Sequence, residues 1–267
     1  MSKIFVIDVA KCTGCYNCQL ACKDEHCGND WAPYAAPQPD TGHFWCKVDE
    51  FVRGTIPKVK IHYISKMCAH CADAACMAAC AHDAIRRRDD GFVLIDPAAC
   101  TGCGSCVPAC PHGTIYFNDK LHIAQKCTGC THLLDHGAAA PRCVEACPTD
   151  AIQFGEKAEL LGALTDATPL DPTGRVYYRH IPGRFIAGTV YDPIEKEVII
   201  GGTCTLTGNG QTQTVKTDSY GDFWFRNLPE NTTYDLTIEA DGFQCKRFDA
   251  LCSTPDVNLG DIPMEKA

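Results

Sequence analysis

The stretch Cys100-Thr101-Gly102-Cys103-Gly104-Ser105-Cys106-Val107-Pro108-Ala109-Cys110-Pro111 sets three thiols at three-residue intervals and a fourth four residues on, with proline behind it. Thiols at that spacing suit one chemistry above others: three thiolates of a tight loop wrapped around three irons of a 4Fe-4S cube. Such a loop needs small, turn-tolerant residues between its ligands, and Thr101, Gly102, Gly104 and Ser105 supply them. The fourth cysteine lies beyond the loop's reach. In two-cluster proteins with this run it ligates the other cluster, so one run predicts a second.

Three more runs are present. Cys12, Cys15, Cys18 and Cys22 repeat the spacing; Cys68, Cys71, Cys76 and Cys80 widen its middle interval by two residues; and Cys127, Cys130, Cys143 and Cys147 carry an excursion from Thr131 to Arg142 between the second and third thiols. Short β-branched stretches lead into the runs, Val6-Ile7-Asp8-Val9 before the first and Val93-Leu94-Ile95-Asp96 before the third. After three of the closing cysteines the chain repeats again, with Ile85, Ile115 and Ile152 each five residues on, as strands returning to pair would be placed. Two ferredoxin-like units are the economical reading. Four runs can be matched in three ways, and spacing alone does not choose among them. Structural zinc is the competing use of such cysteines, but zinc sites are built from two separated CxxC knuckles, whereas two of these runs add a third thiol at the next three-residue interval.

The elements that must position these thiols follow from the rest of the chain. Twenty-one cysteines in 267 residues exceed what a protein of this size uses for packing, and secreted disulfide scaffolds are far shorter. The formal charge of −9 argues against nucleic-acid binding. The N-terminus shows no charged leader followed by an apolar run, and no apolar stretch of about 18 residues suggests a transmembrane segment. Between the first two runs, Phe44–Val48 and Lys58–Tyr63 alternate and predict a hairpin across Arg53-Gly54-Thr55. Cys27 and Cys46 lie outside every run and read as buried, unligated thiols. Lys11 and Lys126 immediately precede the first cysteines of their runs; each is either a cation that offsets cluster charge or an exposed lysine. His70, His82, His112 and His132 lie in or beside the ligand loops and read as packing or hydrogen-bonding residues, since every run already has four thiols.

The expected fold class is α+β: residues 1–155 form the tandem ferredoxin-like domain (two units of two 4Fe-4S clusters) with an insert at 23–67, 156–183 form a linker with a short helix over Glu156–Ala163, and 184–267 form a small all-β sandwich. Strands are expected at Ile186–Tyr191, Gly202–Leu206, Phe223–Phe225 and Tyr234–Ile238. Asp218, Asp222, Asp235, Asp241 and Asp249 are scattered as turn caps rather than clustered as a calcium loop. Cys245 and Cys252 are equally suited to a disulfide or to free thiols.

A regular run, a widened run, a regular run and a run with a long insertion, in that order, resemble the iron-sulfur subunit of molybdenum enzymes of the dimethyl sulfoxide reductase superfamily. In that family the first run pairs with the fourth and the second with the third. The resemblance therefore implies four clusters: Cys12, Cys15, Cys18 with Cys147; Cys127, Cys130, Cys143 with Cys22; Cys68, Cys71, Cys76 with Cys110; and Cys100, Cys103, Cys106 with Cys80. The segment Thr217–Phe225 with Leu228, Tyr234 and Ala240-Asp241-Gly242-Phe243 resembles a transthyretin-like domain, also met as a regulatory appendage of carboxypeptidases. A four-cluster protein with that tail is similar to the small subunits of the pyrogallol-phloroglucinol transhydroxylase, resorcinol hydroxylase and catechol dehydroxylase group. Matching stretches include Asp24-Glu25-His26, Cys68-Ala69-His70-Cys71, Ala124-Gln125-Lys126-Cys127-Thr128, His132-Leu133-Leu134-Asp135 and Arg175-Val176-Tyr177-Tyr178. This implies a non-catalytic electron-transfer subunit, a large partner subunit bearing molybdopterin guanine dinucleotide, and an external electron donor or acceptor. Two other readings are a free-standing polyferredoxin and a subunit of a respiratory oxyanion or sulfur-compound reductase. A cytoplasmic location is expected, with periplasmic co-export on a partner's signal as the family's alternative.

Overall fold

Four consecutive apolar residues, Ile4-Phe5-Val6-Ile7, suit a strand covered on both faces, and in the computed structural model, which describes residues 3–267, all four are at most 1% exposed. They belong to β1 (Lys3–Asp8), which leads into the first cysteine run; Cys18 and Cys22 of that run lie on α1 (Asn17–His26). Strands β2 (Cys46–Thr55) and β3 (Lys58–Met67) pair as the predicted hairpin, with its turn at Ile56-Pro57, just beyond the expected Arg53-Gly54-Thr55. The second run follows, Cys76 lying on the single turn α2 (Ala75–Ala78).

From here the architecture repeats. The hairpin of β4 (Ile85–Arg87) and β5 (Val93–Ile95) joins the second run to the third, whose Cys106 opens α3 (Cys106–Ala109). The hairpin of β6 (Ile115–Asn118) and β7 (Ile123–Lys126) joins the third to the fourth, whose excursion holds α4 (Thr131–Asp135) and whose Cys143 lies on α5 (Arg142–Glu145). Strand β8 (Ile152–Glu156) then runs antiparallel to β1, from Ile7↔Ile152 to Lys3↔Glu156. The rule is constant: the strand returning from one run pairs with the strand that enters the next, and the last run closes on the first.

Residues 156–183, expected as a linker, carry more structure than that. After the one turn α6 (Leu161–Leu164), shorter and later than the predicted helix because β8 uses Glu156, come β9 (Thr168–Pro169) and β10 (Val176–Arg179). Strand β10 runs parallel to β1 and buries Val176 and Tyr178. The sheet order is therefore β8-β1-β10-β9. Phe5, Ile7, Trp45, Met67, Phe92, Val176 and Tyr178 form the larger core of this part, and Ile85, Val93, Ile95, Ile115 and Ala124 a smaller one around the second and third runs.

The chain divides into two compact units, one of residues 1–51 and 62–181, the other of 52–61 and 182–267. The second unit contains β11 (Arg184–Asp192), β12 (Glu197–Val198), β13 (Thr203–Gly208), β14 (Gln211–Lys216), β15 (Asp222–Leu228), β16 (Thr233–Glu239), β17 (Lys246–Cys252) and β18 (Val257–Pro263). One sheet places β11 between β12, β15 and β18; the other has the order β14-β13-β16-β17. Strands β13, β15 and β16 alternate buried with exposed residues, so Cys204, Leu206, Phe223, Phe225, Leu236 and Ile238 share one core. Asp218 accepts from the amides of Tyr220 and Asp222, and Asp235 from Ala250, so these two aspartates tie down backbone. Cys245 and Cys252 are exposed free thiols. Among the described residues no helix is long and apolar enough to cross a membrane.

Candidate metal centres

Each ligand loop turns through a left-handed residue. Gly14, Gly102 and Gly129 have φ of 68°, 73° and 66°, and the second run puts His70 there with φ 46°. That conformation aims a backbone N–H back at the first thiol: Gly129 donates to Cys127 Sγ at 3.3 Å and His70 to Cys68 Sγ at 3.4 Å. At Gly102 a side chain would also run into the His122 carbonyl. Gly102→Ala is therefore expected to cost about 1–2 kcal/mol from the left-handed conformation alone, with the collision added, and to lower iron retention measured on the purified protein. Gly104→Ala, where the nearest atoms are those of Phe117 at 3.9 Å, is expected to retain more iron.

The loops bring the sixteen run cysteines into four sets of four. Cys12 has Cys18, Cys147 and Cys15 as its electrostatic neighbours. Cys22, Cys127, Cys130 and Cys143 line one pocket together with Phe5, His26 and Trp45. Cys68, Cys71, Cys76 and Cys110 line another. Cys80, Cys100, Cys103 and Cys106 line a further one. In every set three thiols come from one run and the fourth from another, first with fourth and second with third.

The sets adjoin one another in a fixed order. The thiol of Cys46 lies within hydrogen-bonding reach of Cys18 and of Cys143, linking the Cys12 set to the Cys127 set, with Ser65 Oγ 3.3 Å from Cys46 Sγ. Cys127 neighbours Cys68, and Cys76 neighbours Cys106. All four thiols of the Cys127 set are buried, whereas Cys15 of the first set and Cys103 of the last are exposed.

The donor chemistry fits a polynuclear iron-sulfur group better than a single ion. Sulfurs bound to zinc at about 2.3 Å stand about 3.8 Å apart, yet among the described residues no three thiols lie mutually within 4.8 Å; the group that close is Cys71 of the Cys68 set with His112 and Asp171. Burial pushes Cys106 and Cys127 up to about 11, and burial with the neighbouring Asp171 carboxylate pushes Cys71 up to about 12. Thiols so placed become thiolates near neutral pH only against compensating positive charge, which metal supplies.

The histidines act as hydrogen-bonding groups in three of four cases. His70 Nδ1 accepts from Val93 N at 3.1 Å, His112 Nε2 meets Asp171 Oδ2 at 3.0 Å, and His132 Nε2 meets Glu25 Oε1 at 3.0 Å; His82 is exposed. Cys46 is buried and Cys27 partly so. The lysines before the first and fourth runs part company: Lys11 is exposed, Lys126 only 3% exposed. Reading the runs alone missed Asp171, His26 and Ser65, none of which carries a spacing signal. His26 stands with Nε2 4.0 Å from Cys130 Sγ and its ring against Trp45 and His132.

Residues 59–157 match the family model of the 4Fe-4S dicluster domain, and residues 186–259 that of the carboxypeptidase regulatory-like domain. The chain is 35% identical over 255 residues to the pyrogallol hydroxytransferase small subunit of Pelobacter acidigallici, covering 89% of this chain and 90% of that one. It belongs to the iron-sulfur subunits of the dimethyl sulfoxide reductase superfamily of molybdenum enzymes. Other members align over less than half of the chain. An anaerobic dimethyl sulfoxide reductase subunit of Escherichia coli K12 is 36% identical over 140 residues, 47% of this subunit and 60% of that one. The arsenate respiratory reductase iron-sulfur subunit of Shewanella sp. strain ANA-3 is 40% identical over 113 residues, 42% and 44% respectively. This iron-sulfur subunit thus serves electron transfer in a molybdoenzyme.

Proposed function

We propose that this subunit carries four 4Fe-4S clusters, one on each thiol set, in a tandem of two ferredoxin-like units. The observation that carries the reading is the gathering of all sixteen run cysteines into four sets of four. When bound, the clusters supply one-electron redox chemistry at potentials set by their surroundings. The chain holds the four sites in a row, keeps the inner thiols of the Cys127 set out of water and leaves Cys15 and Cys103 exposed at the two ends. That arrangement suits a relay with one end toward a donor and the other toward an acceptor, and no step in it needs a general acid or base from this subunit.

The partner is a large cytoplasmic subunit bearing molybdopterin guanine dinucleotide and acting on hydroxylated aromatics, by hydroxylation, transhydroxylation or dehydroxylation. Supporting this choice over a respiratory reductase, the alignment with the pyrogallol enzyme's small subunit takes in 89% of the chain, whereas that with the dimethyl sulfoxide reductase subunit takes in 47%. The β domain braces or covers that partner. Affinity purification from the native host, with iron and molybdenum analysis, tests the reading. One large molybdenum subunit and about sixteen irons per copy of this chain, four per cluster, are expected. A co-purifying membrane anchor points instead to a respiratory reductase, and a chain that purifies alone with its clusters is a polyferredoxin.

A further inference from the structure

The residue entering the fourth run sits between the two inner sites. Lys126 ends β7 and is 3% exposed. Its ammonium donates to the carbonyls of Val93 and Cys127, the latter at 3.2 Å. Val93 lines the cavity of the Cys68 set, and Cys127 that of its own set. An ammonium group only donates, so two carbonyls suit it as partners, but among the described residues no carboxylate pairs with it. A buried cation without a counter-ion is strongly disfavoured. Something else at this place must carry the opposite charge.

The two thiol sets provide it. A cluster with four thiolates is a net anion, and each reduction adds one electron with no bond made or broken. The Lys126 ammonium has Cys76 as a charged neighbour on one side and Cys127 on the other. We propose that Lys126 is the shared counter-charge of the two inner sites and makes both of their clusters easier to reduce, levelling the middle of the relay. Lys11 holds the equivalent place before the first run but lies in water, where its charge is screened. This inference rests on the four-cluster reading.

EPR-monitored redox titration of the purified complex tests it. Lys126→Gln keeps a donor for the two carbonyls and removes the charge. It is expected to disfavour reduction of two clusters at least tenfold, a fall of about 59 mV each for one electron. Those two are the clusters whose signals are altered in Cys76→Ser and Cys143→Ser; the other two, and all four in Lys11→Gln, shift by less than half as much. No shift, a shift of one cluster alone, or an equal shift of all four overturns the proposal. Lys126→Met is the second neutral variant, and if neither it nor Lys126→Gln takes up iron, Lys126 is a scaffold residue and the proposal falls. Wild-type iron well below about sixteen per chain would defeat the four-cluster reading itself, whereas full iron with unmoved potentials defeats only the role of Lys126.

Discussion

Replacing Cys110 with serine is expected to remove or convert the cluster of Cys68, Cys71 and Cys76 and to leave that of Cys100, Cys103 and Cys106, its own loop, in place. Cys110 lines the cavity of the second-run thiols, not that of its neighbours in sequence. It is also prepared to ligate. Burial acts upward on its thiol, but the amide and hydroxyl of Thr114, with the amides of His112 and Gly113, outweigh it and hold the group below its ordinary value. Serine offers a harder, less acidic donor, so the loss is confined to the affected site: one iron if the cube survives with three, four if it does not. Iron analysis and EPR of the dithionite-reduced protein read the result. Loss of the signal that Cys103→Ser also removes, with the Cys76-dependent signal intact, would show the pairing to be within runs.

That exchange between runs marks the limit of what local pattern conveys. The sixteen thiols, the strands that flank them and the alternating strands of the C-terminal part are written as spacing and periodicity, because a cube's geometry and a sheet's pleat each impose a fixed interval. Which run shares with which is a tertiary fact, and the residues supplied only a family resemblance for it. Strand β10 was hidden for a similar reason. Val176-Tyr177-Tyr178-Arg179 is short, follows the turn-rich Thr168–Gly174, and owes its place to parallel pairing with β1, far earlier in sequence, with no hairpin turn to announce it. Strand β14 was missed because Gln211-Thr212-Gln213-Thr214 is polar on both faces and exposed, so no alternation marks it. The two lysines were indistinguishable by position; burial separates them, and burial depends on β5 passing beside β7.

Stripping iron is expected to unfold the cluster-bearing unit and spare the other. From the second run to the fourth this unit has little else to hold it: α2, α3 and α5 are four residues long, and the β4–β5 and β6–β7 hairpins have strands of three or four residues. Neither such helices nor such two-stranded ribbons are stable in isolation. The four runs meet at the thiol sets inside this unit, so metal binding and folding are one process, with contributions on the order of 10 kcal/mol per structural metal site in small domains. Once metal leaves, the buried thiols protonate and nothing ties the runs together. The second unit has two four-stranded sheets about an apolar core in which Leu206, Phe223, Phe225, Leu228 and Leu236 are 1% exposed, and it contains none of the sixteen run cysteines. Hydrogen exchange before and after chelation should therefore show amides of β4 through β8 losing protection while β13, β15 and β16 keep theirs. Protection that persists in β6 and β7 without iron would mean that the side-chain core of Ile85, Val93, Ile95 and Ile115 suffices by itself.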